Sequence, residues 1–108
     1  MIIQFVTLNR GKRAWLICDR QLPVRIGRHP DVAIRLNDES VSDFHCEVDG
    51  IRGVLWVRDV GSLHGTFVNG FHVTQSHLLP GDWLTVGGTS MQVHYVRRLP
   101  PAIEMNLL

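Results

Sequence analysis

The chain has 108 residues, of which 44% are hydrophobic and 19% charged, and its net charge is +1. That length suits one domain around one core, and that composition excludes a disordered chain. A net charge so near zero argues against a general electrostatic grip on nucleic acid or an anionic membrane, which needs a strong basic excess.

The chain begins with a short apolar run, Ile2 to Leu8. It is too brief for a signal peptide or a membrane span, so a cytoplasmic location is the default expectation. Asn9-Arg10-Gly11-Lys12 reads as a turn into a strand over Ala14 to Cys18. Val24-Arg25-Ile26 alternates, as does Val32-Ala33-Ile34-Arg35-Leu36, with the apolar members on one face. Asn37 to Ser40 is a polar loop. His45 to Val48 and Val54 to Val57 flank Asp49-Gly50-Ile51-Arg52-Gly53, read as a glycine-bounded turn. Thr66-Phe67-Val68 and Phe71-His72-Val73 flank Asn69-Gly70, a strong hairpin signal because both central residues of a type I′ turn need positive φ. Leu84 to Val86 and Met91 to Val96 flank Gly87-Gly88-Thr89-Ser90.

No stretch of ten residues keeps a helical period. About ten short strands with close turns predict an all-β antiparallel sandwich or barrel. Cys18 and Cys46 are expected as reduced, buried small hydrophobes, and Trp15, Trp56 and Trp83 as core packing. Residues 1–98 are expected to form the domain. Residues 99–108, which include Pro100-Pro101, read as a tail or linker that leads toward a further segment.

Loops at one end of a sandwich gather residues distant in sequence. Three polar clusters fall at such positions: Gly27-Arg28-His29-Pro30, Ser40-Val41-Ser42-Asp43-Phe44-His45, and Gly61-Ser62-Leu63-His64-Gly65-Thr66. Ten of the eleven cationic residues are arginine, whose planar fork suits phosphate and carboxylate. Ser42, His45 and Asp59 supply the residue types of a hydrolytic triad, but no Gly-x-Ser-x-Gly elbow is present. Six histidines raise metal binding, yet no Cys-x-x-Cys or His-Glu-x-x-His occurs. Neither an enzyme nor a metal site is expected.

Four blocks in order carry a more specific signal. Gly27-Arg28, Ser42-x-x-His45, Ser62-Leu63-His64-Gly65-Thr66-Phe67-Val68-Asn69-Gly70 and Leu78 or Leu79 before Gly81-Asp82 together resemble the forkhead-associated (FHA) family. The resemblance covers residues 2 to 97. It implies an eleven-stranded β-sandwich whose end loops bind phosphothreonine peptides, a recognition mode built on charge-assisted contacts. Carried over, Arg28 and Ser42 would donate to phosphate from side chains and Asp43 from its backbone N–H. Leu63 and His64 would face the peptide main chain. Gly27, His45, Gly65, Thr66, Asn69 and Gly70 would hold loop shape. The implied partner is a phosphothreonine-containing protein, a substrate of a Ser/Thr kinase. No cofactor, nucleic acid or membrane is implied, and the domain would serve as part of a larger protein.

Two positions depart from the family pattern. His64 replaces an asparagine that offers a donor and an acceptor from one fork, whereas a neutral imidazole offers them on opposite ring edges. Asp43 puts a carboxylate beside the expected phosphate. The replacement of that asparagine by His64 motivates an alternative: an FHA-fold domain that binds an unphosphorylated partner or itself.

Overall fold

The computed structural model describes residues 1–8 and 11–96. Among these residues eleven strands form two packed sheets. Chain order gives β1 (Ile2–Thr7), β2 (Ala14–Cys18), β3 (Val24–Gly27), β4 (Ile34–Arg35), β5 (Cys46–Ile51) and β6 (Val54–Asp59). It continues with β7 (Thr66–Val68), β8 (Phe71–Val73), β9 (Gln75–Leu78), β10 (Trp83–Val86) and β11 (Thr89–His94). One sheet has the order β2-β1-β11-β10-β7-β8 and the other β4-β3-β5-β6-β9. All pairings are antiparallel except β3 with β4. The all-β sandwich expected from the sequence is the fold found.

Alternation in the sequence becomes the two faces of each sheet. In β1, Ile3 and Phe5 are fully buried while Ile2 is exposed; in β3, Val24 and Ile26 point inward and Arg25 outward. Ile26, Ile34, Leu55, Leu78, Leu84 and Met91 complete the centre of the core. Each such side chain contributes about 1.5–3 kcal/mol by leaving water. Tyr95 pins the sheets together, donating its hydroxyl to Leu78 O at 2.6 Å and accepting from Leu55 N at 3.2 Å.

Several local expectations are corrected. The turn expected over residues 49–53 is only Arg52-Gly53, because both adopt positive φ (54° and 78°) and β5 continues to Ile51. Gly87-Gly88 alone joins β10 to β11. Strand β9 went unpredicted, since Gln75-Ser76-His77 is a polar run; it pairs along the edge strand's one neighbour, β6. The run Val32 to Leu36 buries its three apolar members as expected, but only Ile34–Arg35 pairs as a strand. Trp56 and Trp83 are half-buried and not part of the core; the Trp56 ring meets that of His77 in a tilted contact, with centroids 3.8 Å apart. Trp15 packs at the core margin under Arg13. Cys46 is buried, and burial beside Asp59 pushes its thiol up to about 12, whereas Cys18 is half-exposed; both are free. The tail expected over 99–108, and Asn9 and Arg10 of the first turn, lie outside the described residues. Among the described residues no helix is long and apolar enough to cross a membrane.

Strand directions fix which loops share an end. Ile26 pairs with Cys46, Cys46 with Asp59, and Thr66 with Val86. The loops after β3, β4, β6 and β10 therefore meet at one end of the sandwich.

Candidate functional site

The loop after β3 and the loop after β4 are sewn together through their backbones. Arg28 N donates to Ser42 O (3.1 Å), His29 N to Asp43 O (3.2 Å) and His45 N to Ile26 O (3.0 Å). Gly27 makes this approach possible, because a Cβ there would lie 2.0 Å from Asp43 O. Arg28 is exposed, and its Nε stands 3.8 Å from Asp43 Oδ1, an ion pair too long for a hydrogen bond. The Asp43 carboxylate thus faces the arginine.

Ser42 links this pair to a third loop. Its Oγ accepts from Leu63 N at 3.0 Å, which leaves the hydroxyl hydrogen without an acceptor among the described residues. His45 makes the second link from full burial: Nδ1 accepts from Ser42 N at 3.1 Å and Nε2 faces Gly65 O at 2.7 Å. A carbonyl only accepts, so Nε2 carries the proton and Nδ1 is the acceptor. One imidazole therefore fixes the spacing of the loops that carry Ser42 and Leu63.

The loop after β6 is shaped by Asp59. Its carboxylate accepts from Gly61 N (2.8 Å), Ser62 N (2.9 Å), the Ser62 hydroxyl and Thr66 Oγ1 (2.7 Å). Ser62 Oγ in turn accepts from Gly65 N at 3.0 Å. Partial burial alone would raise the Asp59 carboxyl, but the donors from Ser62, Thr66 and Gly61 outweigh it and hold the group at about 2. A carboxylate held below its unfolded value of about 3.9 stabilises the fold above that pH and loses the contribution as pH falls through about 2. Acid titration of Asp59→Asn should therefore show a smaller stability loss between about pH 4 and 2 than the unaltered protein shows. Equal acid profiles would remove Asp59 from this account.

These bonds also answer the triad suggestion. Both ring nitrogens of His45 face backbone groups, and Asp59 is occupied by Ser62, Thr66 and two amides, so Ser42, His45 and Asp59 form no relay.

The remaining sequence-derived residues divide. Leu63 (82% exposed) and His64 stand exposed at the loop tip. Gly65 has φ 92° and is closed in by His72, while Thr66 is fully buried. A cleft of about 340 Å³ opens beside this tip, bordered by Leu63, His64, Phe67 and His72. Asn69 and Gly70 are not part of this cluster. They sit at the opposite end of β7, where Asn69 Nδ2 donates to Asp82 Oδ1 (3.0 Å) and Asn69 Oδ1 accepts from Trp83 N (2.9 Å). Asn69 and the Gly81-Asp82 block therefore clasp the two turns at that far end.

One brace escaped the sequence reading. Asp38 accepts from Ser40 N, Ser40 Oγ and Thr89 Oγ1, and Ser40 Oγ accepts from Gly88 N at 2.7 Å. The bonds from Ser40 lower the Asp38 carboxyl. Gly87 is tight here, since a Cβ would lie 2.7 Å from Ser40 O. The Asp38-x-Ser40 spacing was a legible local turn signal; its partner across the sandwich was not.

The FHA domain family model matches residues 24–87. The glycogen accumulation regulator GarA of Mycolicibacterium smegmatis is 46% identical over 79 residues, 73% of this chain and 48% of that protein. A solved structure from a study of phosphothreonine-dependent FHA domain interactions superposes with a TM-score of 0.82 at 26% identity, covering 91% of this chain and all of the other. The FhaA FHA domain, solved in complex with the intracellular domain of Rv3910, gives 0.78 at 27% identity over 85% of this chain and 99% of that one. The chain spans about half or less of the length of the curated relatives it matches first.

Proposed function

This chain belongs to the forkhead-associated domain family, and from that membership we propose that it reads phosphothreonine in a protein partner and catalyses nothing itself. The observation that supports this most is the pairing of an exposed Arg28 with a Ser42 hydroxyl, on loops joined by the Arg28 N to Ser42 O bond. Ser42 Oγ accepts from Leu63 N, and its O–H hydrogen stays available to donate, as an anion requires. Phosphothreonine brings close to two negative charges and three acceptor oxygens. Arg28, Ser42 and the Asp43 N–H would meet those oxygens, while Leu63 and His64 meet the peptide main chain. Gly27, His45, Gly65 and Thr66 hold the loops that carry them.

The binding unit is residues 1–98, and the partner is a substrate of a Ser/Thr kinase. A cytoplasmic setting fits such a partner. Titrating the protein with a phosphothreonine peptide library and its unphosphorylated twin tests the reading. The phosphorylated form should bind and the twin should not, and Arg28→Ala should cost about 1.5–3 kcal/mol, a factor of roughly 10 to 150. Equal binding by that variant would refute the phosphate assignment.

Asp43 carries a second consequence. At about 6 Å in water-like dielectric, each unit of like charge opposes phosphate by roughly 0.7 kcal/mol before screening. Asp43→Asn should therefore tighten phosphopeptide binding by about threefold or more at low salt, with the gain shrinking as salt is added. Unchanged affinity would mean the carboxylate swings clear on binding. The same carboxylate is the observation behind the second reading, an unphosphorylated partner or self-association, because it already faces Arg28. Binding of the unphosphorylated twin, or concentration-dependent dimerisation, would favour that reading.

A further inference from the structure

The two sheets differ in what their strands carry. Strands β2, β1, β11, β10, β7 and β8 contain no Lys, Arg, Asp or Glu, whereas the other sheet carries Arg25, Arg35, Glu47, Asp49, Arg58 and Asp59. A sheet face left to water normally sets polar and charged residues outward, and charge commonly blunts an open edge. At the β2 side the outward positions are apolar instead: Ile2 is 59% exposed and Leu16 66%, and Val96 beside them is 84% exposed. Gln4 pairs with Leu16 on one side and with His94 on the other, so Ile2, Gln4, Leu16 and His94 share one face. With Pro80, Tyr95 and Val96 they border a groove of about 400 Å³. Apolar residues exposed singly are ordinary; a contiguous groove of them with no charge among them marks a contact surface.

The chain itself supplies an occupant. Val96 lines the groove and is followed by Arg97-Arg98-Leu99-Pro100-Pro101-Ala102 and then Ile103-Glu104-Met105-Asn106-Leu107-Leu108. In the second stretch Ile103, Met105 and Leu107 alternate with Glu104 and Asn106, the period of an extended segment with one apolar side.

We propose that residues 103–108 dock as an extended strap across the outward face of β11, β1 and β2, with Ile103, Met105 and Leu107 set against Ile2, Leu16 and Val96. Residues 97–102 can extend by roughly 20 Å at about 3.3 Å each, while the two strand spacings from β11 to β2 need only about 10 Å. The connection therefore reaches any point of that face. Tethering raises the effective concentration of the strap to about the millimolar range, so a groove too small to recruit a free partner tightly is occupied by its own chain. The groove lies toward the end of the sandwich that holds Pro80 and the Asn69–Asp82 clasp, away from Arg28 and Ser42, so the inference does not rest on the phosphothreonine reading.

Nitrogen relaxation measured by NMR on the full chain tests the strap. Backbone order parameters of Ile103, Met105 and Leu107 should be about 0.85, as in the strands, and should fall below about 0.6 in Met105→Asp. That variant should also shift the amide signals of Ile2, Leu16 and His94. Leu16→Asp, at an exposed position that the core does not use, should release the strap in the same way. Order parameters below about 0.6 in the unaltered chain, or groove signals that do not respond to Met105→Asp, overturn the proposal. Groove signals that move with protein concentration and not with Met105→Asp also overturn it, and assign the face to a second copy of the chain.

Discussion

Replacing Gly27 by alanine should cost about 3 kcal/mol of unfolding free energy and abolish phosphopeptide binding in whatever folded protein remains. The reason is steric. A methyl group at this position would stand 2.0 Å from Asp43 O, 2.7 Å from Asp43 C and 3.0 Å from Ser42 O. All three are backbone atoms, so no rotamer change relieves the clash. The loop that carries Ser42 must lift, which breaks the bonds from Arg28 N to Ser42 O and from His29 N to Asp43 O. Urea denaturation with peptide titration checks both parts. A Gly27→Ala variant of ordinary stability and affinity would mean that the loop is not seated as described. Against a total stability of about 5–15 kcal/mol for a domain, the expected loss is large.

His45→Ala should be as severe, at about 3–5 kcal/mol, though for a different reason. The fully buried ring satisfies one amide, Ser42 N, and one carbonyl, Gly65 O. Its removal strands both and opens a cavity between the two loops. Unsatisfied buried groups cost about 1–3 kcal/mol each, and the cavity adds to that. His45→Gln, which keeps an acceptor and a donor, should recover part of the loss. Chemical denaturation of the two variants decides the matter; a cost below about 1 kcal/mol for the alanine variant would show that the loops do not depend on the ring.

How much of this was written in the sequence depends on the range of the interaction. Period-two alternation in Val24-Arg25-Ile26 and the Asn69-Gly70 turn are local signals, and both appear in the fold as expected. Strand β9 was hidden because Gln75-Ser76-His77 carries little apolar pattern; backbone pairing to β6, not burial, makes it a strand. The two-residue turn at Arg52-Gly53 was missed because Arg52 is a poor predictor of positive φ. Trp56 and Trp83 misled because size suggests the core, whereas an aromatic on an outward position can cover a sheet face.

The site was legible as residue types and illegible as bonds. Arg28, Ser42, Leu63 and His64 fall on adjoining loops, as their motif positions suggested. Nothing in the chain announced that Asp43 would face Arg28, that Asp59 would shape the Leu63 loop, or that Asp38 would brace the β10–β11 turn. Each of these is a contact between residues that are neighbours only after folding, or a choice between rotamers that local pattern does not encode. Asn69 and Gly70 show the converse. They share a motif with His64 and Gly65 but serve the other end of β7, tied to Asp82 and Trp83.

Amide-resolved NMR during titration with a phosphothreonine peptide tests the central assignment most directly. Ser42, Asp43, Leu63 and the Arg28 guanidinium should shift together and saturate at one peptide concentration, while Asn69 and Gly70 stay still. Shifts confined to exposed Ile2 and its surroundings on β1, or identical shifts from the unphosphorylated twin, would contradict it.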